Sequence, residues 1–154
     1  MRDIHDWLEA YGESHQNPQN ILIHKICVPL ITFSILGMLF LIPLDVPFAP
    51  YLNVASFICF LILIFYASLS RLFFWGMFLQ SLLMLSLIIF LEKYIHPFSL
   101  VFYLGLFFVG WVFQFFGHKI EGKKPSFFED LLFLLIGPLW TLSFLFKKWK
   151  IKIK

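Results

Sequence analysis

The sequence predicts an all-α integral membrane protein: a helical bundle of four transmembrane helices, an N-terminal amphipathic helix and a C-terminal re-entrant or interfacial helical hairpin, in one membrane domain over residues 1–154. Composition comes first. The chain is 60% hydrophobic and 14% charged, with 22 Phe and a mean hydropathy of +0.86, which excludes an ordinary soluble domain. Periodic length comes second. Apolar residues fall in runs 26–44, 51–69, 72–91 and 98–116, each close to what a helix rising about 1.5 Å per residue needs to cross about 30 Å of hydrocarbon. Third, the breaks between runs hold Pro, Arg, Lys and Glu, residues that belong at an interface or a turn.

Taken in order, Ile4, Trp7, Leu8 and Tyr11 recur at helical spacing, with Asp6, Glu9 and Glu13 opposite and Asp3 placed as an N-cap. This predicts a short amphipathic helix lying on the membrane surface. The acidic start lacks the basic and then apolar pattern of a cleaved signal peptide, so the first residues are expected to remain in the mature protein. Asn17-Pro18 ends that helix, and Pro18 suits the first turn of the next. Residues 1–25 thus form an amphipathic and motif segment. Run 26–44 follows, kinked at Pro29, and Pro43, Pro47 and Pro50 around Asp45 predict a turn on the far side. Only Ser70-Arg71 separates the second and third runs, a tight helical hairpin with Arg71 at the interface. Gln80 within the third run should face the interior, because an amide is costly in lipid. Glu92 to Pro97 closes that run, and the fourth carries Tyr103 and Trp111 as anchors or pocket walls. Residues 117–130 read as a motif loop and 147–154 as a basic tail. Residues 131–146, short and split by Gly137-Pro138, read as the re-entrant hairpin, with a fifth span as the alternative.

Charge favours the re-entrant reading. If residues 131–146 do not cross, the N-terminal face carries Arg2, Lys25, Arg71, Lys119, Lys123, Lys124 and the five lysines from Lys147 to Lys154, leaving only Lys93 opposite. Both termini are then cytoplasmic by the positive-inside rule, in a bacterial inner membrane or an endoplasmic reticulum. The net charge of +3, with lysines beside apolar runs and no base-stacking pattern, points to anionic lipid head groups and not to nucleic acid. Cys27 and Cys59 lie in or beside apolar runs and behave as small hydrophobes, without the pattern of a disulfide framework.

Chemistry concentrates at two places. Asn20 and His24 are four apart at the start of the second helix, with His15 just before the Asn17-Pro18 turn that can fold it back. Far downstream, Gln114, His118 and Glu121 share a face if the fourth helix continues one turn past its apolar run. Four crossings separate His24 from His118, so both lie at one membrane face together with His15, whereas His96 lies at the other. Three imidazoles with Asn and Glu at one face suit a metal, and the ligand types alone leave iron and zinc both open. Glu121 reads either as a fourth ligand or, with Asn20 and Gln114, as a group orienting the ligands. His5, on the polar arc of the first helix, reads as solvated.

Tyr11, His15, Asn20, His24 and Pro29, spaced Y-x3-H-x4-N-x3-H-x4-P, are followed downstream by Gln114, Gly117, His118, Glu121 and Pro125, spaced Q-F-x-G-H-x2-E-x3-P. Together these motifs resemble the membrane-bound Fe(II)-dependent 2-hydroxy-fatty-acid dioxygenases over nearly the whole chain. The resemblance implies alpha-oxidation of a long-chain 2-hydroxy fatty acid with O2, giving CO2 and the acid one carbon shorter, as in phytosphingosine breakdown. It also implies Fe(II) held by His15, His24 and His118, with Asn20, Gln114 and Glu121 in support. Ser126 stands where the family favours Ala, which touches no candidate ligand. Arg71, Lys119 and Lys123 are candidates to pair with the substrate carboxylate. Two other classes share the topology. A lipid-binding or scaffold protein needs no metal, and a small transporter needs a polar midplane path that these spans barely offer.

Overall fold

Asp3 starts the first helix by accepting from the Asp6 amide at 2.8 Å while the Asp6 carboxylate accepts from the Asp3 amide at 3.1 Å. This reciprocal capping box opens α1, Ile4–Gly12. The computed structural model describes residues 3–44, 46, 52–125 and 131–152, and the remaining elements are α2, Pro18–Phe40; α3, Val54–Leu69; α4, Arg71–Ile95; α5, Ser99–Glu121; and α6, Phe133–Lys148. Among the described residues there is no strand, only an isolated bridge between Pro43 and Asn53.

α2, α4 and α5, of 23, 25 and 23 residues, are long and apolar enough to cross a membrane. α4 exposes Trp75, Leu83 and Phe90 and α5 exposes Val101, Phe108 and Val112, a surface that lipid accommodates and water does not. The chain is a helical membrane protein. α3 has 16 residues, about 24 Å at the usual rise, short of a full hydrocarbon core. α2 runs through Pro29 but stops at Phe40, four residues before the predicted end, because Pro43 supplies no amide and disfavours helix at Ile42. The turn predicted around Asp45, Pro47 and Pro50 lies outside the described residues, as do Arg2 and Lys154.

The described residues fall into two compact units, Ile31–Phe108 and Met1–Leu30 with Val109–Lys154. In the first, α3 and α4 pack as the predicted hairpin, joined by Ser70 in extended conformation. Asn53 and Ser56 cap α3 reciprocally. The core gathers Phe33, Leu36, Ala55, Cys59, Ile88 and Tyr103. Tyr103 is fully buried, so it does not anchor at an interface. Gly37 makes room for its ring, since a Cβ there would collide with it. The Tyr103 hydroxyl donates to Glu92 Oε1 at 2.9 Å, and Ser99 donates to Oε2 at 2.7 Å. Glu92 thereby pins the end of α4 to the start of α5. Gln80 turns inward as expected, its Nε2 buried.

In the other unit α1 packs on α6. Ile4, Trp7 and Tyr11 are buried, Trp7 lying edge-on to Phe133 at 5.4 Å and Tyr11 against Trp140 at 5.3 Å. The amphipathic helix predicted to lie on lipid therefore spends its apolar face on protein. α6 corrects a second expectation: it is one continuous helix and not a hairpin broken at Gly137-Pro138. Pro138 removes one helical hydrogen bond, while both residues sit on a buried face. A Cβ at Gly137 would come within 3.1 Å of the Tyr11 hydroxyl, so the glycine allows close packing where the sequence suggested a break.

Candidate metal centre

Three elements of the unit formed by Met1–Leu30 and Val109–Lys154 each deliver one histidine. His15 follows α1, in a turn closed by its amide on the Gly12 carbonyl at 2.9 Å. His24 lies on α2 one turn after Asn20, and His118 lies near the end of α5, which continues to Glu121 as the spacing required. Gly122, at φ +72°, ends α5 in the left-handed conformation that glycine tolerates, its amide on the His118 carbonyl at 3.0 Å. The ring centroids of His15 and His24 are 4.3 Å apart, those of His24 and His118 4.8 Å, and those of His15 and His118 5.0 Å. The three residues are 3%, 1% and 5% exposed.

Each ring has one nitrogen engaged and one bare. His15 Nδ1 meets the Tyr11 carbonyl at 2.6 Å and His24 Nδ1 meets the Asn20 carbonyl at 3.0 Å. A carbonyl can only accept, so both protons sit on Nδ1 and both Nε2 atoms keep a lone pair. The His118 ring bonds to the Lys123 backbone. His15 Nε2, His24 Nε2 and His118 Nδ1 are buried with no hydrogen-bond partner. The three side chains' ligand atoms lie within 4.8 Å of one another. Buried acceptors are ordinarily paired, and three bare lone pairs gathered this closely fit a cation. Imidazole binds such ions at about 2.0–2.1 Å, so two ligands on one ion are at most about 4.2 Å apart. Three ligands sharing one ion lie about 3–3.6 Å apart, so closing a pair at the 4.8 Å limit takes on the order of 1 Å of side-chain movement.

Burial lowers the His15 pKa from its ordinary value, against the opposing pull of the Tyr11 carbonyl and the Glu121 charge. That keeps the ring neutral and able to ligate. Glu121 serves the turn that carries His15. Its Oε1 accepts from the Gln16 amide at 2.9 Å, and its Oε2 accepts from the Asn17 amide at 2.9 Å and from Asn20 Nδ2 at 3.0 Å. Both oxygens thus clamp the start of α2 to the end of α5. Asn20 also donates to the Ser14 carbonyl at 3.3 Å. Gln114 is buried one turn before His118.

Lys123 Nζ donates to the Glu13 carbonyl at 2.6 Å, a second tie between the two segments. Lys119 is exposed on α5. Arg71 belongs to the other unit, and Ser126 lies outside the described residues.

Two groups escaped the sequence reading. Tyr11 stacks on His15 at 4.3 Å with planes 8° apart, and Trp140 of α6 lies 5.0 Å from the same ring. The motif spacing held the signal for Tyr11, four residues before His15 and hence one turn away. For Trp140 there was none, because 22 residues separate it from His118 and only packing brings it back. Gly117 stood in the motif without a role. A Cβ there would collide with Asn20 Oδ1, so the glycine lets α2 and α5 approach beside the rings.

The family model described as 2-hydroxy-palmitic acid dioxygenase Mpo1-like matches residues 1–149. The 2-hydroxy-palmitic acid dioxygenase MPO1 of Saccharomyces cerevisiae is 34% identical over 152 residues, a match covering 96% of this chain and 82% of the yeast protein. No solved structure matches the chain. With both histidine motifs inside a match of that extent, this chain belongs to the 2-hydroxy-palmitic acid dioxygenase Mpo1-like family.

Proposed function

We propose that the chain is an Fe(II)-dependent dioxygenase that converts a long-chain 2-hydroxy fatty acid and O2 into CO2, water and the fatty acid one carbon shorter. The observation that carries the metal assignment is the set of three buried, unpartnered imidazole nitrogens. Family membership and the yeast relative's name support the reaction class. The overall conversion balances without another reductant: the hydroxy acid gives up four electrons and O2 takes four. Fe(II), when bound, supplies the one-electron chemistry that lets O2 react with the substrate's C1–C2 bond.

The chain's own residues do the rest. His15, His24 and His118 hold the metal, and the Tyr11 and Asn20 carbonyls fix which nitrogen of His15 and His24 is offered. Glu121 and Asn20 position the His15 turn, and Gln114 supports the α5 side. Tyr11 and Trp140 exclude water from the His15 face. Lys119, Lys123 and Arg71 remain positions at which a carboxylate can pair. The alkyl chain lies among the apolar helices, each buried methylene contributing about 0.8 kcal/mol. The site and both termini face the cytoplasm, with α6 not crossing.

Oxygen uptake by purified, Fe(II)-loaded protein tests the reading. We expect 2-hydroxypalmitate to give equimolar O2 consumption and CO2 release with pentadecanoate as product, and lactate at matched low concentration to give almost none. A zinc-loaded protein that turns over equally, or equal rates on lactate, contradicts it.

A further inference from the structure

α1 and α6 enclose a recess of about 280 Å³ lined by His5, Leu8, Glu9, Trp140, Ser143 and Lys147. At about 30 Å³ per water it has room for about nine waters, enough for a polar head group and too little for a long alkyl chain. Trp140 is a wall of this recess and also lies 5.0 Å from His15. One indole therefore lies between the recess and the His15 ring. Two cations lie on Phe144, the neighbour of that indole. Lys25 Nζ sits 3.7 Å from the centroid of the Phe144 ring, and Lys147 Nζ lies 5.8 Å from the same centroid. Phe144 in turn packs edge-on to Trp140 at 4.7 Å. Two ammoniums sharing one aromatic ring repel each other, and an anion near both relieves that repulsion. On the α1 wall, Glu9 offers an acceptor to a hydroxyl group.

We propose that Lys147 and Lys25 form a capture station for the carboxylate of the fatty-acid substrate, which enters the recess head first and passes Trp140 to reach the histidines. The proposal rests on the dioxygenase reading for the identity of the acid. It adds a binding site on α6 and α2, distinct from the residues that hold the metal. Charge reversal at the station weakens capture and leaves the chemical step alone, so it raises KM without lowering kcat.

The test uses full-length protein in nanodiscs of neutral phosphatidylcholine. Binding of radiolabelled 2-hydroxypalmitate is measured on metal-free protein, and KM, kcat and iron content on the Fe(II)-loaded form. Lys147→Glu and Lys25→Glu are expected to weaken binding and raise KM by about tenfold, with kcat within about twofold and iron content unchanged. Lys147→Arg should behave as wild type. So should Lys148→Glu, an exposed neighbour with the same change in net charge. Equal binding by Lys147→Glu and Lys148→Glu overturns the station. An effect of Lys147→Glu that arises only when anionic phospholipid is added to the nanodiscs also overturns it, since the site then takes a lipid phosphate. Should wild type bind the acid and Lys147→Glu lose it while no variant consumes O2, the station stands and the dioxygenase reading falls.

Discussion

The two units treat their buried polar atoms differently. Among the described residues of Ile31–Phe108 they are mostly matched inside the protein: Ser34 donates to the Ile31 carbonyl at 2.8 Å, Asn53 and Ser56 cap one helix, and Glu92 takes two hydroxyls, while Gln80 Nε2 is unmatched. In Met1–Leu30 with Val109–Lys154, three imidazole nitrogens and Asn20 Oδ1 are buried without a partner, and all four belong to the same two motifs. Unmatched polar atoms are costly where folding is the only task. Their concentration in one place marks where something else supplies the missing interaction. One unit keeps its polar atoms matched within the helices, and the other holds the three imidazoles that could take a metal.

The largest test of that contrast removes a histidine from each unit. His15→Ala, His24→Ala and His118→Ala should each reduce O2 consumption to background, because three ligands converge there. His96→Ala, at the end of α4, should leave turnover nearly intact. His96→Ala losing activity along with the others would erase the distinction.

A matched pair of carboxylates gives the next effect. Glu121→Gln weakens the clamp on Gln16, Asn17 and Asn20 and should lower iron affinity by about 10 to 100-fold. Glu92→Gln touches only Ser99 and Tyr103 among the hydrogen bonds described above, and should lower the melting temperature while leaving iron bound. Competition with a chelator reads the first, and a thermal scan reads the second.

Three glycines sharpen the comparison further. Alanine at Gly117 collides with Asn20, and alanine at Gly37 collides with Tyr103, each costing about 1–3 kcal/mol by overpacking. Only Gly117→Ala should also weaken iron binding. Gly105→Ala meets nothing within 4 Å and should be neutral or slightly stabilising, by at most about 1 kcal/mol.

The smallest expected change is Tyr11→Phe. His15 is held by the Tyr11 main-chain carbonyl and by ring stacking, and both survive loss of the hydroxyl. Iron affinity should stay within about twofold, whereas Tyr11→Ala, which removes the stack, should cost more, on the order of 1 kcal/mol.

What the sequence made legible follows from which interactions are local. The α1 cap at Asp3, the start of α2 at Pro18 and the hairpin at Ser70 are set by neighbours within a turn, and they stand where they were expected. The pairing of His24 with His118 across about ninety residues was expected from the parity of four crossings and the matching motifs, and the two rings do meet. Partners were harder. The apolar face of α1 reads the same whether it meets lipid or α6. Gly137-Pro138 reads as a break because its packing against Tyr11 is written in another segment. Trp140 over His15 and the Lys25–Phe144–Lys147 cluster exist only once α6 has docked.

The central claim is that three imidazoles hold one metal ion, and an anaerobic Fe(II) titration of metal-free protein tests it most directly. Wild type should bind one Fe(II) per chain with a sharp equivalence point, and His24→Ala, still folded and in the membrane, should show none. A wild-type chain that takes up no Fe(II), or a His24→Ala chain that titrates like wild type, would contradict the account.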